Sequence, residues 1–327
     1  MARIAVVGAG LAGLTCAQAL QAAGTEVVVL EKSRGAGGRL STRRTEAAHY
    51  DHGTQYFTVR DPRFDAFIQA QMADGTVAVW KPRIDPKGVQ RQLDPWYVGT
   101  PGMSSLGRAQ AVGLDLRTEM RVQSMAKLGQ TWQLVMEDQA VLDRFDAVVV
   151  AVPNAQAVPL LQPLAPSWAQ QLQQIDMQPC WTLMVSTTDG LTEFDAGLPH
   201  SGAIGWWARN SSKPGRPVQA GRHDWVIQAT SAWTQAHLQA PKDEVQQAML
   251  EAFAQELDVP SIELTQPVMV HRWLYARRQA DIAAPAQPWW IPEAGLGVCG
   301  DGLVRSRVEQ AYLSGLELAD AMADVAA

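Results

Sequence analysis

Residues 4–39 read IAVVGAGLAGLTCAQALQAAGTEVVVLEKSRGAGGR, so two glycine clusters fall within a single short unit. Residues 3–7 have the unbroken apolar character of a buried strand. Gly8, Gly10 and Gly13 follow as G-A-G-L-A-G. Residues 11–23 then place Leu11, Leu14, Ala17 and Leu20 at helical spacing, and Gly24 stands where a helix ends. Residues 26–30, EVVVL, form a second apolar strand. A strand, a helix and a second strand in this order make a βαβ unit with parallel strands.

Each glycine of that turn has a distinct task. The first makes the tight turn, the second admits a pyrophosphate to the backbone, and the third lets helix and strand pack closely. The helix start, with Ala12 in its first turn, presents free N–H groups and a positive dipole end to phosphate. Glu31 ends the second strand, where a carboxylate accepts the hydroxyls of an adenosine ribose, and Lys32 follows it. An acid there repels a 2′-phosphate, which disfavours NADP at this site. The second cluster, with Gly38 and Arg39, brings another loop and a cation to the same pyrophosphate. Far along the chain, Gly300 and Asp301 lie between a strand and a helix that opens near Val308. An acid there can hold the hydroxyls of a ribityl chain. NAD needs no such distant contact, whereas an extended FAD does.

Composition narrows the remaining possibilities. The 327 residues suffice for one large domain or two intimate ones. A net charge of −6 gives no basic footprint for nucleic acid or an anionic membrane. Cys16, Cys180 and Cys299 offer neither a disulfide framework nor a zinc spacing, and buried thiols suit a reducing compartment. No apolar run is long enough to cross a bilayer without Pro or charge, so a cytoplasmic location is expected. Eight of the twelve tryptophans fall between Trp181 and Trp290, a density that suits a broad aromatic pocket for a flat ligand.

Beyond the opening unit, residues 145–152 (FDAVVVAV) read as a fully apolar strand, and residues 296–300 as a last one before a helix near 308–325. Between them the stretch 160–265 alternates in the manner of a mixed sheet and carries a helix over 242–257, with Val245, Met249, Ala252 and Phe253 on its inner face. The expected class is α/β. A doubly wound FAD-binding domain (1–75, 98–158 and 266–327) is interwoven with an α+β substrate domain (76–97 and 159–265).

The chain resembles the flavin amine oxidase superfamily, and within it the renalases, above all their bacterial members. The carrying segments are EKSRGAGGRLSTRR, YDHGTQYFTVRDPRF, WYVGTPGMSSL, WWARNSSKPGR, IQATSAW, HRWLYAR and CGDGLVRSRVEQAYLSG, spread from residue 31 to residue 315. The resemblance implies a Rossmann-like, glutathione-reductase-type domain with non-covalent FAD at the domain interface. It carries FAD contacts onto Gly8, Gly10, Gly13, Glu31, Arg39, Val122 beside adenine, and Asp301. Gly53, Thr54, Gln55 and Tyr56 would approach the flavin, and the helix from Val308 would end near its pyrimidine side. Renalases oxidise isomeric dihydro forms of NAD(P), reduced at the 2 or 6 position. They pass a hydride to flavin N5, and dioxygen then takes the electrons to give hydrogen peroxide. The chain departs from bacterial relatives at 302–306, where GLVRS replaces an aromatic and smaller residues beside the flavin.

Hydride transfer asks for placement of a carbon over the flavin more than for a protein base. Trp181, Gln228, Trp233, His271, Arg272 and Trp273 are the candidate substrate-pocket residues. His49 and His52 flank Tyr50 and Asp51 as a possible metal pair, although the strand-like GTQYFT after them speaks for a structural or flavin-side role. Two other readings stand beside the first. One is a flavin amine oxidase or desaturase, weakened because no lysine follows Lys242 and because Lys213 sits in a polar SSKPGR loop. The other is a flavoprotein whose cofactor is structural.

Overall fold

The computed structural model describes residues 1–46, 48–89, 94–188, 190–279 and 288–323. At its centre is a six-stranded sheet. Its strands run in the order Trp289–Ile291, Leu296–Val298, Ala147–Val150, Arg3–Val7, Glu26–Leu30 and Asp115–Arg117. All are parallel except Trp289–Ile291, which pairs antiparallel with Leu296–Val298 at the edge. Val6 lies between Val149 and Val29 in register, and all three are fully buried. Strands covered on both faces have no use for alternation, which explains their unbroken apolar runs.

Helix Leu11–Ala22 covers one face together with the closing helix Val308–Ala321. These two helices touch backbone to backbone, since a Cβ at Gly315 would collide with Ala12 O. The other face packs against a three-stranded antiparallel sheet, Val122–Leu128, Thr131–Met136 and Val141–Phe145, through Trp132, Leu134 and Phe145. The apolar run 145–152 is therefore split. Phe145 closes the small sheet and Ala147–Val150 enters the large one. Asp146 marks the break, its Oδ2 accepting the Arg3 N–H at 2.7 Å.

A five-stranded sheet forms the second layer, in the order Ala196–Gly197, Ile204–Arg209, His223–Ala229, Met177–Thr187 and Met269–Arg278. Its five strands pair antiparallel, and it is mixed only through a parallel bridge from Ile84 to Ala196. Helix Lys242–Glu256 lays Val245, Met249 and Phe253 on its outer face against Trp181, Trp207 and Trp225. The segment 266–327 thus supplies both layers, with Met269–Arg278 in the five-stranded sheet and the two following strands in the six-stranded one.

The tryptophan density serves two ends: Trp206 and Trp273 border a large cavity, while others pack the core. Trp181, Trp207 and Trp225 are 0–1% exposed and fill the core between sheet and helix. Large rings suit a layer in which a single helix must cover several strands. Among the described residues, no helix is long and apolar enough to cross a membrane.

Candidate active site

The two glycine clusters meet each other. Gly37 N donates to Ala9 O at 2.8 Å, and Gly10 and Gly37 form a parallel bridge. Gly8 has φ +109°, and a Cβ there would lie 2.6 Å from Ala151 O. A Cβ on Gly13 would collide with Gly8 O, so Gly13 serves helix–strand packing and does not line the cavity. Gly10 differs from both. Its φ is −72°, and a Cβ would meet no protein atom within 4 Å. Ala12 shares the cavity wall with it.

Glu31 is 7% exposed and braces both turns: Oε2 accepts from Ala9 N at 2.9 Å and Oε1 from Ser33 N at 2.8 Å. Lys32 beside it donates to Gln156 Oε1 at 2.8 Å. Burial and the nearby Arg121 charge lower its ammonium pKa, with Glu31 opposing. Val122 closes this end of the wall.

Midway along the cavity, Gly38 (φ +54°) rests against Gly10. Arg39 forms an ion pair with Asp301, a residue 262 positions away, and also donates to Ala276 O at 3.2 Å. These residues were expected to bind pyrophosphate and ribityl hydroxyls separately. In the structure their opposite charges pair directly with each other. Gly300 N donates to Ser314 Oγ at 3.0 Å, which ties this turn to the closing helix, whose first residue Val308 also borders the cavity. Asn154 adds a signal that the sequence did not give: its buried Nδ2 has no partner among the described residues, and it borders the cavity.

At the far end, three hydrogen bonds hold the segment 52–56. Thr54 N donates to Arg39 O at 2.9 Å, Gln228 Nε2 to Gly53 O at 2.7 Å, and Trp273 Nε1 to His52 O at 2.8 Å. His52 stacks on Trp273 with centroids 5.3 Å apart, and His271 meets both rings edge-on. Burial, then the charges of His271 and Arg43, hold His52 at about 4. Burial, then Arg43 and Lys242, hold His271 at about 4. Both imidazoles are therefore neutral near pH 7. Tyr56 stacks on Trp96 at 3.9 Å. Among the described residues, no group of three or more His, Cys, Asp or Glu could hold a metal ion.

Behind this loop lies a charge cluster that sequence reading missed. Lys213 is 2% exposed, and its Nζ donates to Asp51 Oδ2 at 3.3 Å and to Gln55 Oε1 at 3.2 Å. Arg216 pairs with the same Asp51 oxygen. Burial alone would raise Asp51, but Lys213, Arg216 and the Met103 N–H outweigh it and hold the carboxyl at about 2. Burial brings Lys213 down to about 8 against the pull of Asp51. The polar string SSKPGR looks like an exposed loop because its partners lie some 160 residues away in YDHG. Lys213 is not among the cavity-lining residues.

The walls enclose a cavity of about 1800 Å³ running from Gly8 and Glu31 past Arg39 and Asp301 to Gly53, Thr54, Gln55, Tyr56, Gln228, His271, Arg272 and Trp273. Sites for drug-sized ligands measure roughly 300–1,000 Å³, so this one has room for an extended dinucleotide and a second molecule. Two of the candidate pocket residues lie elsewhere. Trp181 is 1% exposed and donates from Nε1 to His237 O at 3.0 Å. Trp233 stacks on His237 at 3.9 Å, one turn along its own short helix, and does not line the cavity. Trp206, which donates to Gln55 Oε1 at 3.3 Å, lines it instead.

Residues 6–70 match the model of the NAD(P)-binding Rossmann-like domain, and residues 87–323 match that of flavin containing amine oxidoreductase. The chain belongs to the flavin-containing amine oxidoreductase family. A flavin-containing amine oxidoreductase is an FAD-dependent oxidoreductase, and the residues here fit that cofactor. The open space over Gly10, the unpartnered Asn154 amide and the long cavity are what an elongated phosphate-bearing ligand would fill. Over 87 residues the chain is 36% identical to hydroxyneurosporene desaturase of Rubrivivax gelatinosus, which covers 27% of this chain and 16% of that protein. The fold of this flavin-containing amine oxidoreductase is similar to that of a putative protoporphyrinogen oxidase from Exiguobacterium sp. 255-15 (TM-score 0.78, 12% identity, 98% of each chain). It is also similar to that of cyclohexylamine oxidase from Brevibacterium oxydans IH-35A (TM-score 0.74, 12% identity, 99% of each chain).

Proposed function

We propose that this flavoenzyme oxidises the 2- or 6-dihydro isomers of NAD(P), with dioxygen as the electron acceptor and NAD(P)+ and hydrogen peroxide as products. The renalase-like segments support this reading, and one observation carries it against an amine substrate. Among the described residues, every carboxylate lining the cavity already has a partner. Glu31 accepts two backbone N–H groups, Asp301 pairs with Arg39, and Asp94 pairs with Arg60 at 3.0 Å. By contrast, Arg43, Arg44, Arg272 and Arg277 line the cavity with no carboxylate partner among the described residues. Such a wall attracts an anionic molecule and repels an ammonium ion.

When bound without a covalent link, FAD supplies a two-electron acceptor for a hydride and a route for those electrons to dioxygen. The chain supplies position. Gln228 and Trp273 fix the backbone carbonyls of Gly53 and His52, which sets the surface a flat ring would lie against. Loss of a hydride from a dihydronicotinamide leaves the aromatic cation, so no protein base is required. On this reading the FAD-binding part comprises 1–75, 98–158 and the chain after Arg278. The substrate-facing part comprises 76–97, 159–265 and the strand Met269–Arg278. We place the protein in the cytoplasm, where the buried free thiols of Cys16 and Cys299 would stay reduced.

The decisive experiment mixes the FAD-loaded protein anaerobically with an equilibrated preparation of NADH isomers. Bleaching of the flavin band, with recovery and peroxide on admission of air, is the expected result. The second reading is oxidation of an amine or desaturation of an apolar ring, favoured by the 36% identity to the desaturase segment. Bleaching by a monoamine or polyamine, with none by the NADH isomers, would select it.

A further inference from the structure

A second pocket, of about 460 Å³, lies along the edge strand Met269–Arg278 and is lined by Arg43, Trp181, Pro241, Lys242, His271 and Arg272 among others. It adjoins the large cavity, because Arg43, His271 and Arg272 border both. Among the described residues, three cations and no carboxylate line it. None of the three has an ion-pair partner among the described residues.

Arg272 is already fixed. Its guanidinium donates to Leu238 O and lies 5.5 Å from the centroid of the Trp181 ring. Trp181 is thus the platform of an arginine, which gives this buried ring a role in the pocket wall. Helix Lys242–Glu256 begins at the rim with no side-chain cap, so its N–H groups add a positive end. Asp243 and Glu244 follow in its first turn, but neither lines the pocket. The charges of Arg43 and Lys242 both reach His271, which places them around one space.

We propose that this pocket is the phosphate subsite of the substrate. The proposal rests on the dihydronicotinamide reading and extends it: the reactive ring lies in the large cavity beside Trp273, and the phosphate-bearing remainder passes Arg43 and Arg272 into the smaller pocket. Arginines match phosphate oxygens in pairs, and Lys242 adds a point charge. The substrate is therefore selected for its phosphates as well as its ring.

The test is calorimetric titration of the FAD-loaded protein with ADP-ribose, which has the phosphates and lacks the redox ring. Lys242→Gln and Arg43→Gln should each weaken binding about tenfold, the scale of one lost charge-assisted contact. Lys242→Arg should restore it, and added salt should weaken it in the native protein. Affinity unchanged in both glutamine variants would overturn the proposal, as would equal affinity for inorganic pyrophosphate and ADP-ribose, which would mark a free-anion site. A second arm compares anaerobic flavin reduction by dihydronicotinamide riboside isomers and by the dinucleotides. The riboside, lacking phosphate, should need at least tenfold higher concentration for half-saturation; equal concentrations would overturn the proposal. Failure of both substrates to bleach the flavin would instead sink the functional reading, with ADP-ribose binding still reporting on the pocket.

Discussion

Lys213 Nζ lies 3.3 Å from Asp51 Oδ2, with both side chains wholly excluded from solvent, directly behind the loop that faces the cavity. Arg216 shares the same carboxylate, so the cluster holds two cations and one anion. Removing the anion strands two buried positive charges, and Asp51→Asn should destabilise the fold by about 3–5 kcal/mol. Lys213→Met leaves a balanced Asp51–Arg216 pair and keeps an apolar stem near the Trp80 ring, which Lys213 Nζ approaches to 5.4 Å. It should cost clearly less. Urea denaturation of both variants checks the order, and equal costs would show that the charge count does not govern this site.

Gly10 and Gly53 separate what the fold requires from what the ligand requires. A Cβ on Gly53 would collide with Arg39 O, so Gly53→Ala should displace the loop and lower the melting temperature of the apoprotein. Gly10 has an ordinary φ of −72° and empty space before it. Gly10→Ala should leave the apoprotein as stable as the native chain yet weaken FAD binding by at least about tenfold, as a methyl group pushes the phosphates off the helix N-terminus. Thermal melts of the apoproteins with FAD titrations of each make the comparison.

The same contrast explains how much could be read before the structure. The βαβ unit was legible because each of its parts, from the strand 3–7 to Glu31, is local, and 29 consecutive residues from 3 to 31 contain them all. Helix Lys242–Glu256 was legible for the same reason, with Val245, Met249 and Phe253 buried as their spacing requires. The Arg39–Asp301 pair joins residues that only the closing of the large sheet brings together. Lys213 misled because a lysine between Ser and Pro reads as solvent-exposed unless its buried carboxylate is known. Trp233 misled because side-chain type does not fix direction: the turn at Thr230, which caps its helix, turns the ring onto His237.

The histidine pair sets the acid side of the stability curve. His52 and His271 are held at about 4 against an ordinary 6.5. Between these values the unfolded chain binds more protons than the native one, so stability rises with pH through this window and falls as the medium is acidified. Asp51, held at about 2 against 3.8, acts in the same direction lower down: its contribution is present above 3.8 and is lost as the pH falls through about 2. Urea midpoints should therefore be level only near about pH 7, drop steadily toward about pH 4, and rise again above about pH 8, where Lys213 is held below its ordinary 10.5. His52→Asn should flatten that slope. A native midpoint that did not change across this range would show that neither imidazole is held neutral.

Glu31 offers the sharpest test of where the adenosine end lies. Its two carboxylate oxygens each accept a backbone N–H, from Ala9 and from Ser33, and so tie the first glycine turn to the loop after the second strand. Glu31→Gln keeps the shape but turns one acceptor into an amide that faces a donor, a conflict costing about 1–3 kcal/mol where the group is buried. It also removes the negative charge that a ribose diol would donate to. Both effects act at one end of the cavity, so FAD affinity should fall by about tenfold to a hundredfold, read by calorimetric titration of apoprotein. Binding of FAD as tight as in the native chain would place the adenosine away from Glu31 and would require the cofactor to enter the cavity in the opposite sense.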